Sequence, residues 1–280
     1  MKHQNLIASC AKYLVLFAAM LGFLFPFALI IMNAFKSNAE IIDSPLALPT
    51  AFDLTNFGIA MKAMNYFECF INSLGITIIS LIIIMLFSAM SAHFFVRNDT
   101  KASQFWFFLM VASMIIPFQS IMIPLVSVYG QQLGWIQANP RLTLIVMYIG
   151  FGTPLAVFIY HGFIKSVPKE LEEAASIDGC NRWQIFFRIV MPILVPTSVT
   201  LGILNVLWIW NDFLLPVLIL QNAGPKNLTL PIAIQMFKGT YTSDYEKFLP
   251  AFIMVILPIL VVYLFAQKFI IQGVTQGAIK

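Results

Sequence analysis

Six apolar runs, each long enough to cross a bilayer, limit what this 280-residue chain can fold into. A helix needs about 20 apolar residues to cover the hydrocarbon core. The runs at 13–35, 70–96, 103–126, 142–163, 193–220 and 248–267 meet that length, and only the fifth carries a charged residue, Asp212. Inside lipid every backbone N–H and C=O must find a partner within the structure, so such runs are read as helices. Charged residues make up 10% of the chain, against about 25% in an ordinary soluble domain. The expectation is an all-α membrane protein, one transmembrane domain of six helices spanning residues 1–280.

The first run follows Lys2 and Lys12. It is too long for a signal-peptide core, and no small-x-small cleavage site follows it, so an uncleaved anchor is expected. Six spans put both termini on one side. If that side is cytoplasmic, the inside holds Lys2, Lys12, Arg97, Lys101, Lys165, Lys169, Arg182, Arg188, Lys268 and Lys280. The outside then holds Lys36, Lys62, Arg141, Lys226, Lys238 and Lys247. The cationic excess favours this orientation, and it makes the loop 164–192 cytoplasmic.

Several function classes lose their footing. The net charge of +4 is dispersed over the loops, with no basic stripe for nucleic acid. Cys10, Cys69 and Cys180 form no CxxC pair, so neither a disulfide framework nor a zinc site is expected, and no metal site is assigned. His93 and His161 stand at span ends as interfacial histidines. The chain lacks a GxxxxGK[ST] loop, HExxH and GxSxG, so nucleotide hydrolysis, metalloprotease and esterase chemistry have no residues to run on. No internal repeat supports an inverted-repeat secondary transporter. Pro26, Pro117, Pro124, Pro154, Pro216 and Pro258 lie in or near the spans, where each removes a helical hydrogen bond and bends its helix.

One loop is out of keeping with the rest: ELEEAASIDGCNRWQIFFRIVMP, residues 170–192. Pro168 suits the first position of a helix. Glu170, Glu172 and Glu173 follow where the helix dipole favours acids, and Gly179 is a natural stop. Asn181 and Gln184 have capping-box spacing for a second helix. The loop reads helix, turn, helix. Leu171, Ala174 and Ala175 share one side of the first helix, where small residues permit close approach. Trp183, Phe186, Phe187 and Val190 form an apolar stripe on the second. Such a pair serves as a docking element for a cytoplasmic protein, rests on lipid headgroups, or presents a solvated acidic face; the acidity of the first helix argues against the lipid reading.

Glu173, Ala174 and Ala175, three residues, Gly179, nine residues, Ile189, one residue, Met191 and Pro192 resemble the "EAA" loop of ATP-binding-cassette importer permeases. Met191 stands where Leu is usual and fills a similar apolar volume. The resemblance continues through NAFKSNAEI (33–41), NSLGIT (72–77), IPFQSIMIPL (116–125), VPKELEEAASIDG (167–179), WNDFLLPVLIL (210–220), TLPIAI (229–234) and GVTQGAI (273–279). The chain is similar to the six-span, maltose-permease-like partner in heterodimeric carbohydrate importers, and within them to the multiple-sugar and raffinose type. Glycerol phosphate and polyol importers use similar permeases. A self-sufficient channel or secondary transporter is the alternative of a different class.

The resemblance implies a non-catalytic subunit in the bacterial cytoplasmic membrane that binds no cofactor itself, with ATP and Mg2+ on a partner ATPase dimer. It implies a second homologous permease and an extracellular or periplasmic sugar-binding protein as further partners, besides membrane lipid. In such importers the loop carries a coupling helix seated in the ATPase, which assigns Glu172, Glu173, Ala174, Ala175, Asp178, Gly179 and Arg182 to coupling. By the same resemblance Gln272, Gly273, Thr275 and Gln276 reach the ATPase, the alternative being a frayed terminus. Tyr241, Ser243, Asp244 and Tyr245 meet the binding protein, the alternative being an ordinary turn. Asp212 is an acid inside a span, a functional candidate by default. Trp208, Trp210 and Asn211 beside it suit a sugar path; alternatively Asn211 and Asp212 satisfy kinked backbone.

Overall fold

The computed structural model describes residues 2–239 and 243–278, with side chains described for 9, 11–239 and 243–269. Among these residues the regular structure is helical, apart from one isolated antiparallel bridge between Lys238 and Ser243. Five helices are long and apolar enough to cross a membrane: Ala11–Asn33, Tyr66–Arg97, Pro140–Ile164, Arg182–Asn211 and Tyr245–Phe269. The first belongs to α1 (Lys2–Asn33) and the last to α14 (Tyr245–Ala278). The others are α4 (Tyr66–Arg97), α8 (Pro140–Ile164) and a composite ending in α11 (Met191–Asn211).

The run at 103–126 is not one rod. It forms α5 (Lys101–Ser113) and α6 (Phe118–Val126), which meet at 96°. Pro117 sits at the break with φ −63° and ψ 135°. Proline disfavours helical geometry in the residue before it, so Ile116 cannot carry the helix across. Apolarity alone does not register this. Past α6 the chain runs on as a π-helical turn, Ser127–Gln132.

The run at 193–220 is also redrawn at both ends. Helix begins at Arg182 as α10 (Arg182–Ile185), passes through a π-helical turn at Phe186–Val190 and continues as α11. The second helix of the loop is thus the first turns of the fifth span. At the far end the helix stops at Asn211 and restarts as α12 (Leu214–Leu220).

The chain divides into two compact units, residues 1–66 with 234–258, and 67–233 with 259–280. In the first, Phe35 packs on Phe52 and Phe57. Its buried Lys36 donates from Nζ to Asn33 Oδ1 at 3.0 Å and to the Ser44 carbonyl at 2.9 Å. Asn38 joins the start of α14, donating from Nδ2 to Asp244 at 3.3 Å and accepting from the Glu246 N–H at 3.1 Å.

The second unit has α8 at its centre. Leu144, Tyr148, Ala156, Val157, Tyr160 and Ile164 of α8 are fully or almost fully buried. They pack with Ile84, Ala89 and Ala92 of α4, Leu194 and Leu201 of α11, and Ile219 and Leu220 of α12. Small residues let the helices approach, as expected where close packing rather than water expulsion drives association. Gly152 is the tightest point: a Cβ there would lie 2.6 Å from Ile84 Cδ1 and 3.2 Å from Asn205 Oδ1. The outward faces of the spans carry exposed Phe, Leu and Ile, such as Phe87 and Ile82 of α4. Such continuous apolar surface is what lipid or partner helices cover.

Candidate functional site

The acidic segment folds as α9 (Glu170–Ile177). Pro168 stands two positions before it, and the Lys169 carbonyl accepts from the N–H groups of Glu172 and Glu173. The helix ends as the glycine predicts. Gly179 has φ +86°, the left-handed region that costs a residue with a Cβ. Its N–H donates to the Ser176 carbonyl at 3.1 Å, and the Cys180 N–H reaches back to Ala175 at 3.0 Å. This is the two-bond glycine stop that satisfies orphan carbonyls. Asn181 and Gln184 then form both halves of the expected capping box.

The faces differ from the sequence reading. Ala175 is only 8% exposed and packs on the core, while Ala174 looks outward. The outward surface comprises Leu171, Glu173, Ala174, Ile177 and Asp178, with Ile177 87% exposed. The stripe on the next helix also divides. Phe186 and Val190 are buried, whereas Trp183 and Phe187 stay exposed and stack at 6.3 Å. The π-helical turn at Phe186–Val190 accommodates an extra residue per turn, which rotates what a regular period would align.

Glu172 turns inward, and two residues that the sequence reading left unassigned to this loop hold it. Arg97, the last residue of α4, places Nε 2.7 Å and Nη2 2.6 Å from Glu172 Oε1. His93 Nε2 lies 2.9 Å from Oε2. Arg97 Nη2 also donates to the Val167 carbonyl at 3.0 Å. Partial burial alone would raise the Glu172 carboxyl, but hydrogen bonds from Arg97 and His93 outweigh it and hold it below its ordinary value of 4.5. The available signal was spacing: His93 and Arg97 are four apart on one helix, so they share a face. Arg182 lines the same small cavity as this cluster.

A second polar cluster marks the end of α11. Asp212 accepts from the Tyr148 hydroxyl at 3.0 Å and from the Leu214 N–H at 3.1 Å. It thereby caps the broken backbone between α11 and α12, the structural alternative raised for it above. Trp208, 40% exposed, lies edge-on to Tyr148 at 5.4 Å and lines a cavity with Asp212. Trp210 is 5% exposed and packs against Phe70, and Asn211 bonds back to the Leu207 carbonyl. The four residues are therefore not one surface.

The remaining candidates lie in or beside α14. Asp244 Oδ1 accepts from the Lys247 N–H at 3.3 Å, Ser243 sits in the isolated bridge, and Tyr245 opens the helix. Hydrogen bonds from Lys247 and Asn38 overcome the effect of burial and hold the Asp244 carboxyl below its usual range. Tyr241 lies outside the described residues. Gln272, Gly273, Thr275 and Gln276 belong to the backbone of α14, which continues to Ala278, and their side chains are outside the description.

Residues 84–274 match the family described as binding-protein-dependent transport system inner membrane component. A probable starch degradation products transport system permease, AmyC of Thermoanaerobacterium thermosulfurigenes, is 39% identical over 96% of this chain and 97% of its own. The multiple sugar-binding transport system permease MsmG of Streptococcus mutans is 36% identical over the full length of both chains. The melibiose/raffinose/stachyose import permease MelC of Bacillus subtilis is 33% identical over 91% of each. Among solved structures, a bacterial ABC transporter that imports alginate superposes with a TM-score of 0.78 at 19% identity, covering 95% of this chain and 97% of that one. That likeness supports the fold. The chain belongs to the inner-membrane permease components of binding-protein-dependent ABC transport systems, multi-pass cell-membrane proteins that move solute rather than catalyse a reaction.

Proposed function

We propose that this chain is one permease of an oligosaccharide importer that works by alternating access, with both termini and α9 cytoplasmic. The relatives reported above bear names that refer to probable transport of starch degradation products, to multiple sugar-binding transport and to import of melibiose, raffinose and stachyose, which supports an oligosaccharide cargo of that size. A second homologous permease completes the membrane unit, an ATPase dimer holding ATP and Mg2+ drives it, and an external binding protein delivers the sugar. One observation carries the coupling role: α9 offers Leu171, Ala174 and Ile177 outward while Glu172 is bolted inward to α4. Force applied to the outer face therefore reaches the end of a transmembrane helix through a short, charged link. Glu173 and Asp178 flank that outer face, Gly179 sets its turn and Arg182 stands at the next helix start. Inverting a two-state equilibrium from 1:99 to 99:1 takes roughly 5.5 kcal/mol of differential binding. Exposed ion pairs contribute about 0–1 kcal/mol each. Packing of Leu171, Ala174 and Ile177 into the ATPase supplies the larger share.

The test is reconstitution of the four-part complex in proteoliposomes with raffinose, stachyose, maltotriose and glycerol 3-phosphate offered in turn. Stimulation of ATP hydrolysis by binding protein loaded with one of the oligosaccharides, together with its uptake, is the expected result. Stimulation by glycerol 3-phosphate alone reassigns the cargo. Solute flux through liposomes holding only this chain overturns the subunit reading in favour of a channel.

A further inference from the structure

The turn between α4 and α5 and the stretch leading from α8 into α9 border a cavity of about 760 Å3. Small-ligand sites run from about 300 to 1,000 Å3. Part of the lining is apolar: Phe95, Phe107 and Phe108 contribute, and the Phe107 ring stacks on His161 at 3.9 Å. Phe108 is 65% exposed, so the cavity opens toward the outer face of α5, where Phe105 and Trp106 also stand exposed. Exposed tryptophan beside a span end marks the level of the lipid headgroups. The rest of the lining carries charges of both signs. Lys165 and Lys169 belong to it, and neither ammonium makes a hydrogen bond or ion pair among the described residues. Asp99 and Glu170 belong to it as well. Glu170 has no side-chain partner among the described residues, and Asp99 uses one oxygen on Gln104 Nε2 at 2.7 Å. Arg97 adds no free charge, because Glu172 pairs with it.

We propose that this cavity seats the headgroup of a cytoplasmic-leaflet phospholipid that carries both a phosphate and a primary ammonium, the phosphatidylethanolamine class. The inference rests on the side of the membrane given to α9 above and is independent of the cargo. Basic pockets between spans on the cytoplasmic side are sites for lipid phosphates, and Lys165 and Lys169 supply the donors. The two carboxylates decide the rest of the headgroup. An ammonium donates charge-assisted hydrogen bonds to Asp99 and Glu170. Two unpaired cations and two carboxylates together balance a zwitterion, whereas an anionic headgroup such as phosphatidylglycerol leaves a carboxylate uncompensated. Phosphatidylcholine offers the same phosphate, but its quaternary nitrogen has no N–H to give. The acyl chains follow the exposed Phe105 and Phe108 side of α5, an apolar surface for which a soluble phosphate has no use. A protein docked on Leu171, Ala174 and Ile177 does not compete for the site, since none of the three lines it.

The test is lipid titration of the purified complex that contains the full chain, after delipidation, with bound lipid counted by native mass spectrometry. Phosphatidylethanolamine, phosphatidylglycerol and phosphatidylcholine are offered separately. Lys165, Lys169, Asp99 and Glu170 are all exposed, so their variants should assemble and melt as the natural protein does. Lipid sites on other subunits cancel, because only this chain is varied. Lys165→Ala with Lys169→Ala should lower the affinity for phosphatidylethanolamine about tenfold, and the paired Lys→Arg variant should stay within about twofold of the natural protein. Asp99→Asn with Glu170→Gln should remove the preference for phosphatidylethanolamine over phosphatidylglycerol while leaving phosphatidylglycerol bound at least as tightly. Unchanged phosphatidylethanolamine affinity in the paired Lys→Ala variant overturns the site. So does an equal loss of all three lipids in the acid variant, which reports a general loosening. Glycerophosphoethanolamine bound as tightly as the lipid overturns the membrane source in favour of a soluble ligand. Sugar-stimulated ATP hydrolysis on the same preparation reports the importer reading separately, and its absence leaves the lipid titration interpretable.

Discussion

Arg97 Nη2 lies 2.6 Å from Glu172 Oε1, which ties the last turn of α4 to the first turn of α9. Both side chains are largely shielded, so the pair stands between exposed bridges worth about 0–1 kcal/mol and buried ones whose breakage costs about 3–5 kcal/mol. Removing one partner should cost on the order of 2 kcal/mol, since a charge is left half-buried. In the assembled importer Arg97→Ala is expected to keep basal ATP hydrolysis while losing most of the stimulation by sugar-loaded binding protein. The exchanged pair Arg97→Glu with Glu172→Arg should recover part of it. Stimulation that survives Arg97→Ala intact would show that motion enters the membrane by another contact.

The same carboxyl sets a pH dependence. Glu172 is held below 4.5 in the folded chain by Arg97 and His93, against the opposing effect of burial. A depressed carboxyl adds stability that is complete above its unfolded value and drains away as pH falls through the folded one. Thermal melting of the purified complex should therefore be level from pH 8 to about 5 and decline below that. Glu172→Gln should melt lower at neutral pH and show a shallower acid decline. Parallel curves for the two proteins would assign the acid sensitivity to other carboxyls.

Gly179 tests whether packing or charge dominates on α9. At φ +86° a β-branched residue is strained by about 1–3 kcal/mol, although no atom would meet its Cβ within 4 Å. Gly179→Val should therefore reshape the turn that presents Ile177, and lower sugar uptake several-fold. Glu173→Gln removes one exposed charge and should lower it less than twofold, in line with the small worth of surface pairs. Uptake and ATPase rates measured on both decide it, and an equal or reversed order would count for charge.

The spans and the α9 turn were legible because they rest on local chemistry. Apolar length, the acids at 170–173, Gly179 and the Asn181–Gln184 box each act within a few residues. What escaped the sequence reading depends on geometry over longer range. Pro117 turned an apolar run into two helices at 96°, because a proline's effect on its neighbour outweighs hydropathy. The π-helical turn at Phe186–Val190 changed the period on which the Trp183 stripe was drawn. Glu172 reads from the sequence only as one of three acids at a helix start; its partners are 75 and 79 positions away in the chain, and no periodicity within the loop points to them. Asp212 was legible as unusual, but its partner Tyr148 is 64 positions distant.

Gly152 gives the sharpest steric prediction. Its missing Cβ leaves room for Ile84 Cδ1 at 2.6 Å and Asn205 Oδ1 at 3.2 Å, so α4, α8 and α11 meet at this point. Ile84 ends in a methyl group that can rotate away, which makes Gly152→Ala mild, within about 1 kcal/mol. Gly152→Leu adds a side chain that no rotation of Ile84 accommodates, and overpacking of this kind costs about 1–3 kcal/mol. The melting midpoint of the reconstituted complex should fall for Leu and barely move for Ala. Ile84→Ala, a cavity mutation alone, should partly offset Gly152→Leu when the two are combined, because the vacated volume lies where the new side chain points. Strictly additive losses in the double variant would mean that the two residues do not share that space, and that the close approach of α4 and α8 is not what Gly152 provides.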